Sequence, residues 1–133
     1  MTPESETRER IMDLKRIRLE LARTPDYPEG SHDHGYEFIA PVSKDGHIDA
    51  DAWKQAKDRC HVVRFWGKDE ETGTLRHVGQ GWRFDYNPKD DADDEPFFKL
   101  DRHALTPGAY VSITEHDGVQ RPFKVVSVLP VAK

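Results

Sequence analysis

Apolar positions in the first part of the chain recur every three or four residues. These positions are Ile11, Leu14, Ile17 and Leu21. This spacing is typical of a helix with one apolar face. Thr2 can cap such a helix, and Pro25 disfavours helical backbone at the residue before it. We therefore predict a helix over residues 3–23 that packs on the protein's own core.

The next stretch changes from loop to strand to helix. Residues 25–35 are rich in Pro, Gly and polar residues, which is typical of a loop. The run "YEFIAPV" follows and predicts a strand, with Pro41 near its end. The run "DADAWKQAKDRC" predicts a short second helix that Asp49 or Asp51 caps.

From residue 61 onward, apolar residues alternate with polar ones, which predicts strands. The runs that show this alternation are "HVVRFW", "TLRHV", "WRFDY", "FFKL", "AYVSITEH" and "VQRPFKVVSVL". Asp117-Gly118 separates the last two runs and is a strong hairpin signal. Consecutive strands with short connections favour an antiparallel arrangement.

These elements predict an α+β protein: an N-terminal helix and a short second helix packed on a twisted antiparallel sheet or a small, partly open β-barrel. The chain of 133 residues suits a single domain over residues 1–133. We divide it into a helical N-terminal segment at 1–24, a loop at 25–35 and a body at 36–133. Within that body, the acidic stretch 87–96 predicts a mobile loop.

Charge and composition exclude several classes of protein. The net charge of -5 argues against a nucleic-acid partner. No run of about 18 apolar residues is present to span a membrane, and the charged N-terminus does not resemble a signal peptide. Cys60 is the single cysteine, so no intrachain disulfide can form, which favours a cytoplasmic location.

Two histidines form the first candidate for chemistry. On an extended chain, His32 and His34 point to the same side, and imidazole is the commonest metal ligand. With Glu37 they resemble the motif that opens a cupin metal site, although the Glu is one residue too near and the later cupin motif is not recognisable. A zinc site needs three or four ligands, so another histidine would have to join them.

The second candidate is a group of cations and aromatic rings in "RFWGKDEETGTLRHVGQGWRF". Its members are Arg64, Trp66, Lys68, Arg76 and His77. On a sheet, such residues can stack on a ligand or bind an anion. If Val63 and Phe65 face the core, Arg64 and Trp66 face outward as a ligand or partner surface. The alternative is a structural role in the core and in cross-strand pairs.

Catalytic motifs are absent from the sequence, which contains no nucleophile elbow, P-loop or dinucleotide-binding fingerprint. Cys60 and His61 are adjacent and would face opposite sides of a strand, so they cannot act as a dyad. We expect a small soluble, non-catalytic binding or protein-interaction domain without a cofactor. Its partner would be a protein or a small anionic ligand, and a homodimer through the N-terminal helix is an open alternative. The alternative function is metal binding or metal-dependent catalysis through His32 and His34.

One resemblance covers residues 30 to about 129. The segments "GSHDHGYEFIAPV", "DGHIDADAW", "RFWG", "PGAYVSITEHDG" and "FKVVSV" together resemble a group of small uncharacterised bacterial proteins. The resemblance implies one complete small bacterial protein that is soluble. It carries no assigned fold, activity or catalytic residue.

Overall fold

The described part of the chain forms a closed antiparallel β-barrel. The computed structural model describes residues 14–78, 81–86, 95–98, 104–115 and 117–131. Within them, eight strands follow one another around the barrel in chain order. The strands are β1 (Leu14–Leu21), β2 (Ser31–Pro41), β3 (His61–Trp66), β4 (Asp69–Val78), β5 (Gly81–Asp85), β6 (Glu95–Phe98), β7 (Tyr110–Thr114) and β8 (Gln120–Pro130). Helix α1 (Ala50–Ala56) and a 3₁₀ turn (Lys57–Arg59) connect β2 to β3.

Strand β1 closes the barrel because it is paired along both edges. Lys15 lies opposite Ala40 of β2 and also opposite Pro130 of β8. At the other end of the strand, Leu21 lies opposite Phe123 of β8. This double pairing joins the first and last described strands, which covers the edges that an open sheet would expose.

The predicted N-terminal helix is wrong over residues 14–21, which form β1. Ile17, Leu19 and Leu21 are all buried, so the apolar period of this segment is two. Residues 1–13 lie outside the described residues, and the start of the predicted helix falls among them. The α+β class is therefore wrong as well, because the described residues are mostly strand with one short helix.

Arg16, Arg18 and Glu20 alternate with the buried residues of β1 and occupy the outer face of the barrel wall. Arg18 bonds Glu20 at 2.7 Å and Glu37 at 3.3 Å, and its guanidinium lies 4.4 Å from the centre of the Phe65 ring. The helix considered as an alternative contact for a homodimer is thus a strand over residues 14–21, with both edges already paired.

Several other predictions are confirmed. The sheet is antiparallel, β3 has the predicted bounds, and β7 and β8 flank Asp117-Gly118 as a hairpin. The short helix is present and Asp49 caps it, accepting a hydrogen bond from the Ala52 amide at 2.9 Å.

Strand β2 begins at Ser31, inside the predicted loop. Most of the acidic stretch, residues 87–94, lies outside the described residues.

Aromatic rings fill the middle of the barrel. The ring of Tyr36 lies 5.1 Å from that of Phe84 and 5.2 Å from that of Phe123, and Phe38 lies 5.1 Å from Phe84. All four side chains are almost completely buried. The centre is therefore a packed core, which directs attention to the ends of the barrel.

Helix α1 packs against one end of the barrel. Its Trp53 ring lies 5.6 Å from Trp82 and 6.0 Å from His77, and its Nε1 donates to the Leu75 carbonyl at 3.0 Å. At the opposite end, which we call the mouth, the chain turns at residues 22–30, 67–68 and 115–119. In the described part of the chain, no helix is long and apolar enough to cross a membrane.

The close approach of β1 and β2 predicts a steric effect at Gly35. A Cβ at this position would lie 2.0 Å from the Leu19 carbonyl oxygen. We expect Gly35→Ala to lower the free energy of unfolding by about 1–3 kcal/mol or more, because the backbone of β1 must shift. Chemical denaturation measures the change.

The matched control is Asp33→Ala on the same strand, at an exposed position. It should change the stability by less than about 0.5 kcal/mol. Equal losses in the two variants would contradict the tight β1–β2 packing.

Candidate functional site

A buried carboxylate lies at the mouth. Glu115 follows β7 and is 2% exposed. Its Oε2 accepts hydrogen bonds from Tyr36 Oη at 2.5 Å, from Arg64 Nη2 at 3.1 Å and from Arg64 Nε at 3.2 Å. Its Oε1 accepts from Arg121 Nη1 at 2.7 Å. We call Tyr36, Arg64, Glu115 and Arg121 the Glu115 clamp.

Strand periodicity places all four side chains of the clamp inside the barrel. Each lies two residues from a buried apolar residue on its strand or at the strand's end. The pairs are Tyr36 with Phe38, Arg64 with Val62, Glu115 with Ile113, and Arg121 with Phe123. Because side chains two residues apart share a face, the polar residue of each pair continues the inward-facing row toward the mouth.

The clamp compensates the cost of burying a charge. An isolated carboxylate in an apolar interior is strongly destabilising, whereas hydrogen bonds from cations offset that cost. Two guanidinium groups and one hydroxyl bond the two oxygens of Glu115. The same bonds restrict Arg64 and Arg121 to fixed positions.

An aromatic wall continues from the clamp. The guanidinium of Arg64 lies 4.3 Å from the centre of the Trp66 ring, and the Trp66 and His34 rings form a T-shaped pair with their centres 4.5 Å apart. Tyr27 packs on His34 at 4.8 Å, and its hydroxyl lies 3.3 Å from His34 Nε2. The Ser31 hydroxyl lies 2.6 Å from His34 Nδ1. We call Tyr27, His34 and Trp66 the aromatic wall.

A groove of about 630 Å³ opens beside this wall. Tyr27 and Trp66 supply aromatic surface, and Arg121 of the clamp also lines the groove. Arg23 and Asp26 add one cation and one anion at its rim. This volume lies in the range of small-molecule sites, which combine apolar walls with a few polar groups.

Arg64 and Trp66, predicted to face outward, face inward. Val62 is completely buried, so the inward positions of β3 are Val62, Arg64 and Trp66. The assumption that Val63 and Phe65 face the core is therefore wrong. The predicted pairing of Arg64 with Trp66 is present, but it lies in the mouth.

The other members of the predicted cation–aromatic surface lie elsewhere. Lys68 is exposed in the turn between β3 and β4. Arg76 bonds Asp85 at 2.9 Å on the outer wall. His77 stacks on Trp82 at 4.3 Å at the end that α1 covers. The structure thus brings together Arg64 and Trp66 and separates both from Arg76 and His77.

The two candidate metal ligands His32 and His34 do not point together. A register shift between β1 and β2 places Gly35 opposite Glu20 and Ser31 opposite Leu21. Residues 32–34 therefore have no opposite residue on β1. His32 bonds Glu20 at 2.8 Å, whereas His34 lies in the aromatic wall. Glu37 bonds Arg18 on the outer face. In the described ranges, which leave out His103 and His116, no three His, Cys, Asp or Glu residues are placed to hold a metal ion.

Cys60, the residue before β3, is completely buried. Burial raises the pKa of its thiol to about 11, so the thiol stays protonated at neutral pH. A protonated, buried thiol is a poor nucleophile.

Sequence reasoning missed Tyr27, Tyr36, Glu115 and Arg121. The signal for Glu115 was its parity: it follows Val111 and Ile113 at a spacing of two. Arg121 likewise precedes Phe123 and Val125 at that spacing. A charged residue on an inward-facing row predicts either a buried ion pair or a site at the barrel's end.

Removing the charge of Glu115 should destabilise the fold. Glu115→Gln weakens the acceptor shared by Arg64 and Arg121, so we expect a loss of about 1.5–3 kcal/mol in the free energy of unfolding. Denaturant titration measures it. The control Asp117→Asn changes an acid that is 47% exposed and also bonds Arg121. It should cost less than about 1 kcal/mol, and an equal loss in both variants would contradict the special role of Glu115.

The chain matches no protein-family model, and comparison with curated proteins and with solved structures found no match either. The interpretation of the mouth as a functional site therefore rests on its geometry.

Proposed function

We propose that the protein is a non-catalytic binding domain and that its ligand occupies the groove at the mouth. The observation that carries the proposal is the Glu115 clamp beside a groove of about 630 Å³. A buried ion cluster is costly because its charges must leave water, and it is not needed to fill an apolar core. Here the cluster fixes the position of Arg121 in the wall of the groove. A cytoplasmic location, expected from the single cysteine, belongs to the same proposal.

Fixed side chains support binding because they lose little freedom when a ligand arrives. Arg121 is held by Glu115 at 2.7 Å, and Trp66 is packed between Arg64 and His34. A site whose side chains are ordered beforehand avoids roughly 0.5–1.5 kcal/mol for each side chain that binding would otherwise immobilise.

Catalysis receives weaker support from the same residues. Ser31 and His34 resemble a nucleophile and a base, since Oγ and Nδ1 lie 2.6 Å apart. However, His34 Nε2 faces the Tyr27 hydroxyl in place of a carboxylate, and the Ser31 hydroxyl already accepts a bond from the Asp33 amide at 3.1 Å. A hydroxyl cannot offset the charge of an imidazolium as a carboxylate does.

Binding of ring-bearing fragments tests the proposal. The probes are indole, benzamide, benzylamine and benzoate, added one at a time to isotope-labelled protein. We expect at least one of them to shift the indole N–H signal of Trp66, because Trp66 lines the groove. The Trp53 and Trp82 signals serve as internal controls, since these rings pack at the other end of the barrel.

Assignment comes from single Trp→Phe variants. The proposal fails if none of the four probes moves the Trp66 signal, or if all three indole signals move together. The second result would indicate non-specific association in place of a site.

A further inference from the structure

We infer that the groove takes a ring-bearing monocarboxylate, with the carboxylate on Arg121 and the ring against Tyr27 and Trp66. This inference rests on the proposed binding function and adds the chemical class of the ligand to it.

One edge of the Arg121 guanidinium has no hydrogen-bond partner among the described residues. Among the described residues, every side-chain hydrogen bond of Arg121 leaves from Nη1, at 2.7 Å to Glu115 Oε1 and 3.2 Å to Asp117 Oδ1. The Nε–H and Nη2–H groups have no partner among those residues. These two groups form one side of the guanidinium, and that side matches the two oxygens of a carboxylate.

Arg121 lies where a ligand in the groove can reach its guanidinium. Its side chain is 25% exposed and lines the groove, and its Nη1 group is bonded to Glu115. Arg23 is a second cation at the same groove, and it forms no ion pair within the described ranges. A ligand anion can therefore gain a directional pair of bonds without breaking the clamp.

The neighbouring acids limit the charge of the ligand. Asp26 lines the groove, and Asp117 bonds the other side of Arg121 at 3.1 Å. Each would repel a second negative charge on the ligand at short range. A single carboxylate is therefore favoured over a phosphate dianion.

The aromatic wall selects the rest of the ligand. Tyr27 and Trp66 line the groove next to Arg121, whose guanidinium lies 5.9 Å from the centre of the Trp66 ring. A ring attached to the bound carboxylate would lie within reach of these two side chains. Contacts between aromatic rings add to the gain from burying apolar area, so a ring-bearing acid should bind roughly two- to tenfold more tightly than acetate.

Titration with matched ligands tests the inference. We expect benzoate to bind roughly tenfold or more tightly than benzamide, because a charge-assisted pair of bonds replaces a neutral contact. Acetate and phenyl phosphate should both bind more weakly than benzoate. N-acetylphenylalanine and its amide repeat the comparison for a peptide C-terminus. Whichever of benzoate and N-acetylphenylalanine binds more tightly shows whether the carboxylate comes from a small aromatic acid or from a peptide C-terminus.

Arg121→Lys supplies the protein side of the test. It keeps a cation next to Glu115 but removes the paired Nε–H and Nη2–H donors, so the preference for benzoate over benzamide should fall several-fold. Arg16→Lys on the outer face, where Arg16 pairs with Glu37 at 3.5 Å, is the matched control and should keep the preference. If Arg121→Lys does not fold, contacts from the benzoate ring to Tyr27 and Trp66 in the unmodified protein decide the matter by nuclear Overhauser effects.

The outcomes separate the two proposals. Equal binding of benzoate and benzamide in the groove would overturn the recognition of a carboxylate but leave the proposed binding function intact. Tighter binding of acetate than of benzoate would overturn the role of the ring. Tighter binding of phenyl phosphate than of benzoate would overturn the preference for a single negative charge. Absence of binding by every ligand would overturn both the inference and the proposed function.

Discussion

The pairing of β1 with both β2 and β8 is the constraint on which the rest of the structure depends. Residues 14–21 hydrogen-bond to the second and the last described strands, and so turn a sheet into a barrel. Closure orients the apolar sides of β1 to β5, β7 and β8 toward one interior, where the rings of Tyr36, Phe84 and Phe123 meet. It also brings the ends of β2, β3 and β8 to a common mouth, where the polar residues that follow each apolar row converge.

The Glu115 clamp is the chemical consequence of that convergence. A carboxylate at the end of an inward-facing row must be neutralised, and Arg64 and Arg121 occupy the equivalent positions on two other strands. The clamp thus links stability to the groove: the bonds that compensate Glu115 also hold Arg121 beside Trp66. Since aromatic side chains fill the middle of the barrel, a ligand has room at the mouth and not in the interior.

Local patterns predicted local structure well. Alternation in "HVVRFW" and the Asp117-Gly118 turn gave β3 and the last hairpin, because both depend on neighbouring residues. The helix prediction failed because Ile17 and Leu21, four residues apart, fit a period of 3.6 as well as a period of two. The contacts that decide between the two periods lie in β8, about a hundred residues away. The clamp joins Tyr36 to Glu115 across 79 positions, and the register shift between β1 and β2 separates His32 from His34. Neither feature is visible without the closed barrel.

The most direct test of this account is the environment of residues 14–21 in solution. Nuclear Overhauser effects should connect β1 to both neighbours at once, with Ile17 near Phe38 and Val128, and Leu19 near Tyr36 and Val125. That result would establish the closing strand and, with it, the shared mouth. Contacts between residues three positions apart throughout 14–21, without contacts to 123–130, would indicate a helix and would contradict the barrel, the clamp and the groove together.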